Sequence, residues 1–306
     1  MAEVTLASAA SGASAPGWRP AARSRLGTGD APRSPRLRLV CSAAVLGVLV
    51  LAVLVVPVVA QLDQQVVDLA TANRPPELAH PFGTDELGRD VLLRSVYGLR
   101  VSLAVGLLAA LVSTVIGTAV GALAGAVGGW TDRLLMRLVD VVSSVPHLLL
   151  GIVIVAILRP SLSSVVWSIA LTHWLSSARI VRSEVLSLRA RPFIDAAIAG
   201  GSSPLRIMTR HLLPNVAPQV LLTATLMVPH AIWHETALSF LGLGLPPHLA
   251  SIGNMLNDAS RSLLIGGWWM SLAPGLVFVV TTLAVAGLSG VWRDRLNPKR
   301  RSELSW

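Results

Sequence analysis

The run LVCSAAVLGVLVLAVLVVPVVA, Leu39 to Ala60, contains 22 residues and no charge. A helix rises about 1.5 Å per residue, so a run of this length crosses the roughly 30 Å hydrocarbon core of a bilayer. The same criterion picks out five further segments, near 101–126, 138–158, 162–180, 216–240 and 268–291. The second and sixth segments are free of charge and the fourth carries only Arg179 at its end, while the third carries Asp140 near its start and the fifth Glu235 near its end. Val58 to Ala60 resembles the small-residue end of a secretory signal. The apolar run is too long for one and follows a long tail, so an uncleaved first transmembrane helix is expected at 39–60. Cys41 opens that run, which predicts an inert, membrane-facing thiol.

Composition agrees with a bilayer as the main solvent, at 53% hydrophobic and 13% charged residues over 306 positions. Residues 1–38 are rich in Ala, Ser, Pro, Gly and Arg and lack apolar periodicity, so a disordered cytoplasmic tail is expected there. The formal charge of +9 raises the question of nucleic acid. The basic residues are instead shared among loops. Six lie in the N-terminal tail, two at Arg133 and Arg137, six between Arg179 and Arg210, and five in the tail at 293–306. The alternate loops hold only Arg74, Arg89, Arg94, Arg100, Arg159 and Arg261. By the positive-inside rule both termini are expected in the cytoplasm, in a multi-pass plasma-membrane protein that does not bind nucleic acid.

The sequence provides no motor of its own. A P-loop needs a Lys to reach the phosphates, and the one Lys is Lys299 in the C-terminal tail. Ion coupling would place carboxylates along the spans, where only Asp140 and Glu235 occur, both near span ends. An external motor is the economical inference, and the chain is expected to be neither an enzyme nor a holder of a cofactor.

The segment LRARPFIDAAIAGGSSPLRIMTRHLLPN, Leu188 to Asn215, offers a place for such a motor. Pro192 suits a helix start, Asp195 falls in the first turn, Gly200-Gly201 end the helix, and Ser203-Pro204 begin a second one. Ala196, Ala197 and Ala199 leave a shallow face. Leu205, Ile207, Met208, Leu212 and Leu213 supply apolar positions after the break.

Asp195-Ala196-Ala197, then Gly201, His211 and Leu213-Pro214, resemble the EAA loop of permeases from ATP-binding-cassette (ABC) importers, in which Glu-Ala-Ala, three residues and Gly precede a Leu-Pro pair. His at position 211 is the form usual in the dipeptide, oligopeptide and nickel branch. Asp195 stands in place of Glu, which keeps the charge and shortens the reach. The resemblance implies a coupling loop seated on a partner ATPase, with Arg206 on its second helix. HPFGTDELGRDVLLRSVYGLRVSL, His80 to Leu103, is similar to the outer segment before span two in that branch. There Gly83 and Gly88 allow turns, while Thr84, Asp85, Arg89 and Asp90 belong to a fixed polar network. ETALSFLGLGLPP at 235–247 with Gly253-Asn254-Met255-Leu256, VDVVSSVP at 139–146 and RDRLNP at 293–298 extend the likeness over 80–298. At 286–292 the chain departs, with Ala-Gly-Leu-Ser-Gly-Val-Trp where relatives tend to have Asn and Gly-Asp-Gly.

What the resemblance implies is an all-α, six-helix permease of the type I ABC importer fold. It comprises the tail 1–38, the first helix 39–60, an extracellular segment 61–100, a five-helix core 101–292 with the coupling loop at 188–215, and the tail 293–306. Expected partners are a second permease in a heterodimer, two ABC ATPase subunits, an extracellular substrate-binding protein and the lipid bilayer. Dipeptides or short oligopeptides lead as cargo, with nickel or a metal chelate as the alternative and a self-sufficient channel or ion-coupled carrier as the second. His230 and His234 are four residues apart on one helical face, with Glu235 beside them and His173 on the preceding span. Two imidazoles so spaced can share a metal. Side chains turned into a water-accessible pore account for them as well, so a pore-lining role without bound metal is expected. Trp233, Trp268 and Trp269 are expected to anchor the membrane interface.

Overall fold

The computed structural model describes residues 35–60 and 67–296. Most of the expected N-terminal tail, and the C-terminal tail beyond 296, lie outside the described residues. Helix α1, Pro35–Val59, begins before the predicted 39, with Pro35 in the first turn where a missing N–H costs nothing. Only 6% of its apolar window is buried, and Val48, Leu51, Leu54 and Val58 stand fully outward. Such a face suits lipid as its solvent. Cys41 is exposed on it.

Residues 67–90 form an irregular segment whose only β-type contact is an isolated bridge between Thr84 and Asp90. Helix α2, Val91–Val127, starts ten residues before the predicted span because Asp90 caps it, its carboxylate accepting from the Leu93 amide at 2.8 Å.

The third predicted span is not one rod. Helix α3, Gly129–Ser143, and helix α4, His147–Leu158, meet at 88°. Pro146 supplies the physical reason, since it biases Val145 away from the helical region and withholds an N–H. At 12 residues α4 is about 18 Å long, too short to cross alone. Asp140, expected inside a span, lies on α3 and accepts from Arg179 at 3.0 Å.

Helix α5, Leu162–Arg189, is the central rod, packed against α2, α4 and α8. Its contact with α2 is the most extensive in the molecule. Gly117, Gly121 and Gly125 recur every fourth residue on the α2 face and let the two backbones meet. A Cβ on Gly117 would lie 2.6 Å from the Trp174 carbonyl oxygen, and one on Gly125 2.9 Å from Val185 Cβ.

After α5 come helix α6, Pro192–Ala199, helix α7, Pro204–Ile207, a π-helical turn at Met208–Leu212, and helix α8, Leu213–Phe240. Helix α9, Ile252–Ser262, was not foreseen as a helix, and helix α10, Trp268–Leu296, closes the bundle. Four stretches among the described residues are long and apolar enough to cross a bilayer: α1, α2, Pro204–Phe240 and α10. The α3–α4 pair makes a fifth if taken as one broken span. The predicted count of six is therefore not reached on apolarity alone. Helix α5 is long enough at 28 residues but carries Ser164, Ser168, Thr172, His173 and Ser177, all buried. Neighbouring helices, not lipid, surround those groups.

Candidate functional site

Three sites predicted from sequence sit on one frame formed by α2, α5 and α8. The first is the loop after α5. Helix α6 ends in a Schellman motif, with the Gly201 amide donating to the Ile198 carbonyl at 2.9 Å and the Ser202 amide to the Ala197 carbonyl at 3.0 Å. Gly201 takes φ +76°, the left-handed conformation that a β-carbon penalises. Ser203 then caps α7, accepting from the Arg206 amide, with Pro204 in the first turn.

This loop is two-sided. Ile194, Ile207 and Leu212 are buried with Ala122 of α2, Val181 and Val185 of α5, and Val216 of α8. Phe193, Ile198 and Leu205 point outward, and Asp195, Ala196 and Arg206 are exposed beside them. Arg189 ties the end of α5 to α2 through the Gly125 carbonyl at 2.8 Å, and Arg182 grips Asp132 of α3 with both nitrogens of its fork, one at 2.6 Å. The second loop helix is not separate from span five. It runs through the π turn, which holds His211, straight into α8, with Leu213 and Pro214 in the first turn of that helix. A rigid element therefore joins the outward-facing loop to the middle of the bundle.

The second site lies at the other end of α2. Asp90 and Ala122 are separated along that helix by about 48 Å, more than the roughly 30 Å of a hydrocarbon core. Asp85 is the hub, with a side chain only 9% exposed. Its Oδ1 accepts from the amides of Leu87 and Arg89, each at 2.9 Å, and its Oδ2 from Arg89 Nε at 2.8 Å and Arg94 at 2.5 Å. Arg94 is 5% exposed and also reaches Asp258 of α9 at 3.4 Å. Thr84 accepts from the Arg74 amide at 2.9 Å and its carbonyl takes the indole N–H of Trp269 at 3.1 Å. Gly83 (φ +69°) and Gly88 (φ +78°) make the turns. His80 holds the capping Asp90 at 2.8 Å. Arg94, Asp258 and Trp269 were not predicted members. Trp269 pins this segment to α10, whereas Trp233 and Trp268 remain about half exposed.

The third site is the histidine group. Helix α5 supplies His173 and α8 supplies His230 and His234, with ring centroids 4.3 Å apart for 173–234 and 5.1 Å for both 173–230 and 230–234. His147, at the start of α4, lies 5.5 Å from His173. A cavity of about 300 Å³ opens beside His147, His173 and His230, lined also by Gln219, Thr223, Met227 and Arg293. Glu235 does not join the group. It is fully buried on another face of α8, turned toward α2, accepting from Ser102 at 2.6 Å and from Ser239 at 2.9 Å.

Comparison with known proteins places this geometry in context. Residues 117–302 match the family described as "Binding-protein-dependent transport system inner membrane component". The dipeptide transport system permease protein DppC of Bacillus subtilis is 37% identical over 233 residues, covering 76% of this chain and 73% of that one. The oligopeptide transport system permease protein OppC of the same organism is 35% identical over 269 residues, 88% of each chain. OppC of Escherichia coli strain K12 is 40% identical over 264 residues, covering 86% of this chain and 87% of that one.

Proposed function

The chain belongs to the family of inner membrane components of binding-protein-dependent transport systems, and from that premise we propose that it forms half of the translocation pore of an ABC importer for dipeptides or short oligopeptides. Its similarity to dipeptide and oligopeptide permeases supports the cargo class. In this reading a second permease completes the pore, two ATPase subunits sit on the α6–α7 loop in the cytoplasm, and a binding protein delivers cargo beside the Asp85 network outside. Both termini lie in the cytoplasm in this reading, which the distribution of Arg supports.

The observation that carries the reading is the two-sided loop. An exposed apolar edge of Phe193, Ile198 and Leu205 offers a contact for another protein, while Ile194, Ile207 and Leu212 pack the loop against α2, α5 and α8. ATP binding would move the loop, and the continuous 204–240 rod would carry that movement into the bundle. An ion-coupled carrier fits less well, because Glu235 is engaged by Ser102 and Ser239 and no carboxylate lines the histidine-side cavity among the described residues.

Gly201→Val provides the test. A β-branched residue at φ +76° costs about 1–2 kcal/mol and must reshape the Schellman turn, yet a Cβ there meets nothing within 4 Å, so the bundle itself is not crowded. In the reconstituted complex, peptide uptake is expected to fall at least about tenfold, the equivalent of about 1.4 kcal/mol in coupling, while ATP hydrolysis continues. Uptake and substrate-stimulated hydrolysis both at wild-type rates would count against the loop as the coupling element.

A further inference from the structure

The sequence led us to expect no bound metal, yet the fold brings a third imidazole onto the His230–His234 face and fixes its chemistry. Helical spacing accounts for His230 and His234 only. His173 lies 57 residues earlier and reaches them because α5 packs on α8. One ligand-capable atom from each of the three residues lies within 4.8 Å of the other two.

The hydrogen bonds of His173 decide which of its nitrogens is available. Nδ1 stands 2.9 Å from the Ile169 carbonyl oxygen, which can only accept, so Nδ1 carries the proton. The Thr172 hydroxyl, which donates to backbone carbonyls of the preceding turn, presents a lone pair to the same Nδ1 at 2.8 Å. Nε2 is thereby left as a bare acceptor. His173 is 4% exposed, and Nε2 has no hydrogen-bond partner. A buried ring that donates from one nitrogen to a backbone carbonyl and keeps the other unpartnered, packed against two further imidazoles, has the arrangement of a metal-ligating histidine.

From this geometry we propose that His173, His230 and His234 form a site for a divalent first-row transition-metal ion of the Ni²⁺ or Zn²⁺ kind, bridging α5 and α8. Three neutral imidazoles without a carboxylate favour such ions over Mg²⁺ and Ca²⁺, which require oxygen donors. A tetrahedral ion with bonds of about 2.0–2.1 Å holds its ligand atoms about 3.3 Å apart, so the rings must close inward from their present spacing. His230 is exposed, whereas His173 is held by Ile169 and Thr172. The cavity leaves the remaining coordination positions open to water or to donors of a bound chelate. The site is made by this chain alone and does not rest on the peptide reading.

The test titrates the full-length chain, purified without a histidine tag into lipid nanodiscs, with Ni²⁺ and with Co²⁺ as an optical probe. One ion per chain is expected, with the visible spectrum of imidazole-bound Co²⁺. His173→Ala and the double variant His230→Gln/His234→Gln should abolish that binding. The Gln pair keeps size and polarity at the accessible positions, so it reports even if His173→Ala fails to fold. Thr172→Val, which removes the support of Nδ1, should weaken binding about tenfold. Absence of stoichiometric Ni²⁺ or Co²⁺ binding by the wild-type chain, or undiminished binding in the Gln pair, overturns the proposal. Neither result bears on peptide uptake, which is measured separately in the assembled complex.

Discussion

Gly117→Leu is expected to cost about 3 kcal/mol or more and to prevent most of the chain from accumulating as a folded membrane protein. The added Cβ alone would stand 2.6 Å from the Trp174 carbonyl and closer still to Ser177 Cβ, and neither the α5 backbone nor a Cβ fixed to it can swing aside as the end of a long side chain would. Parting the two helices forfeits the closest packing in the bundle, and in lipid van der Waals contact is the main force holding helices together. Gly275→Leu makes the matched control. A Cβ at that position meets nothing within 4 Å, so its effect should stay within about 0.5 kcal/mol. Thermal unfolding of the full-length chain in nanodiscs, alongside folded yield, checks both. Equal stability of the two variants would mean that the α2–α5 contact is not as close as described.

Asp85→Ala should cost about 3–5 kcal/mol, the range for removing one partner of a buried ion pair, because it leaves Arg94 buried with only the half-exposed Asp258 in reach. Asn should not rescue it. An amide oxygen could replace Oδ1 toward Leu87 and Arg89, but the amide nitrogen would then face the guanidinium of Arg94 at the Oδ2 position. The expected readout is a lowered unfolding temperature for both variants, with faster proteolysis of the 67–90 segment. Wild-type stability for Asp85→Asn would show that charge at Oδ2 is not what holds this segment.

Much of this was legible in advance, for reasons that differ by element. Helices α1 and α2 declare themselves because charge-free runs of that length have no other common use. The two short helices after α5 were legible because Pro192, Gly201, Ser203 and Pro204 are local signals, each acting within a few residues. What failed was whatever depends on partners distant in sequence. Helix α5 extends to Arg189, beyond the predicted 180, because Val181 and Val185 pack against α2 and the loop helices, contacts that a hydropathy reading cannot contain. Glu235 was grouped with the histidines by adjacency in sequence, yet consecutive residues on a helix point about 100° apart, and Glu235 turns toward Ser102. Two features were present in the sequence and went unread. Ser143-Ser144-Val145-Pro146 signals the break between α3 and α4, and Gly117-x-x-x-Gly121-x-x-x-Gly125 signals the face that meets α5. Arg94 was counted as a loop cation, although its place inside α2 makes it a buried partner of Asp85.

The central claim is that this chain is driven by a separate ATPase through the Asp195–Pro214 loop. Isolation of the full-length chain from native membranes in mild detergent tests it most directly, with ATP hydrolysis and subunit content followed across the elution profile. The account predicts that the chain elutes with a second permease and a P-loop ATPase, and that Leu205→Asp, which places a charge on the exposed apolar edge of the loop, separates the ATPase from a still-paired permease. A folded wild-type chain that elutes alone, without hydrolytic activity, yet transports peptide when reconstituted by itself would contradict it.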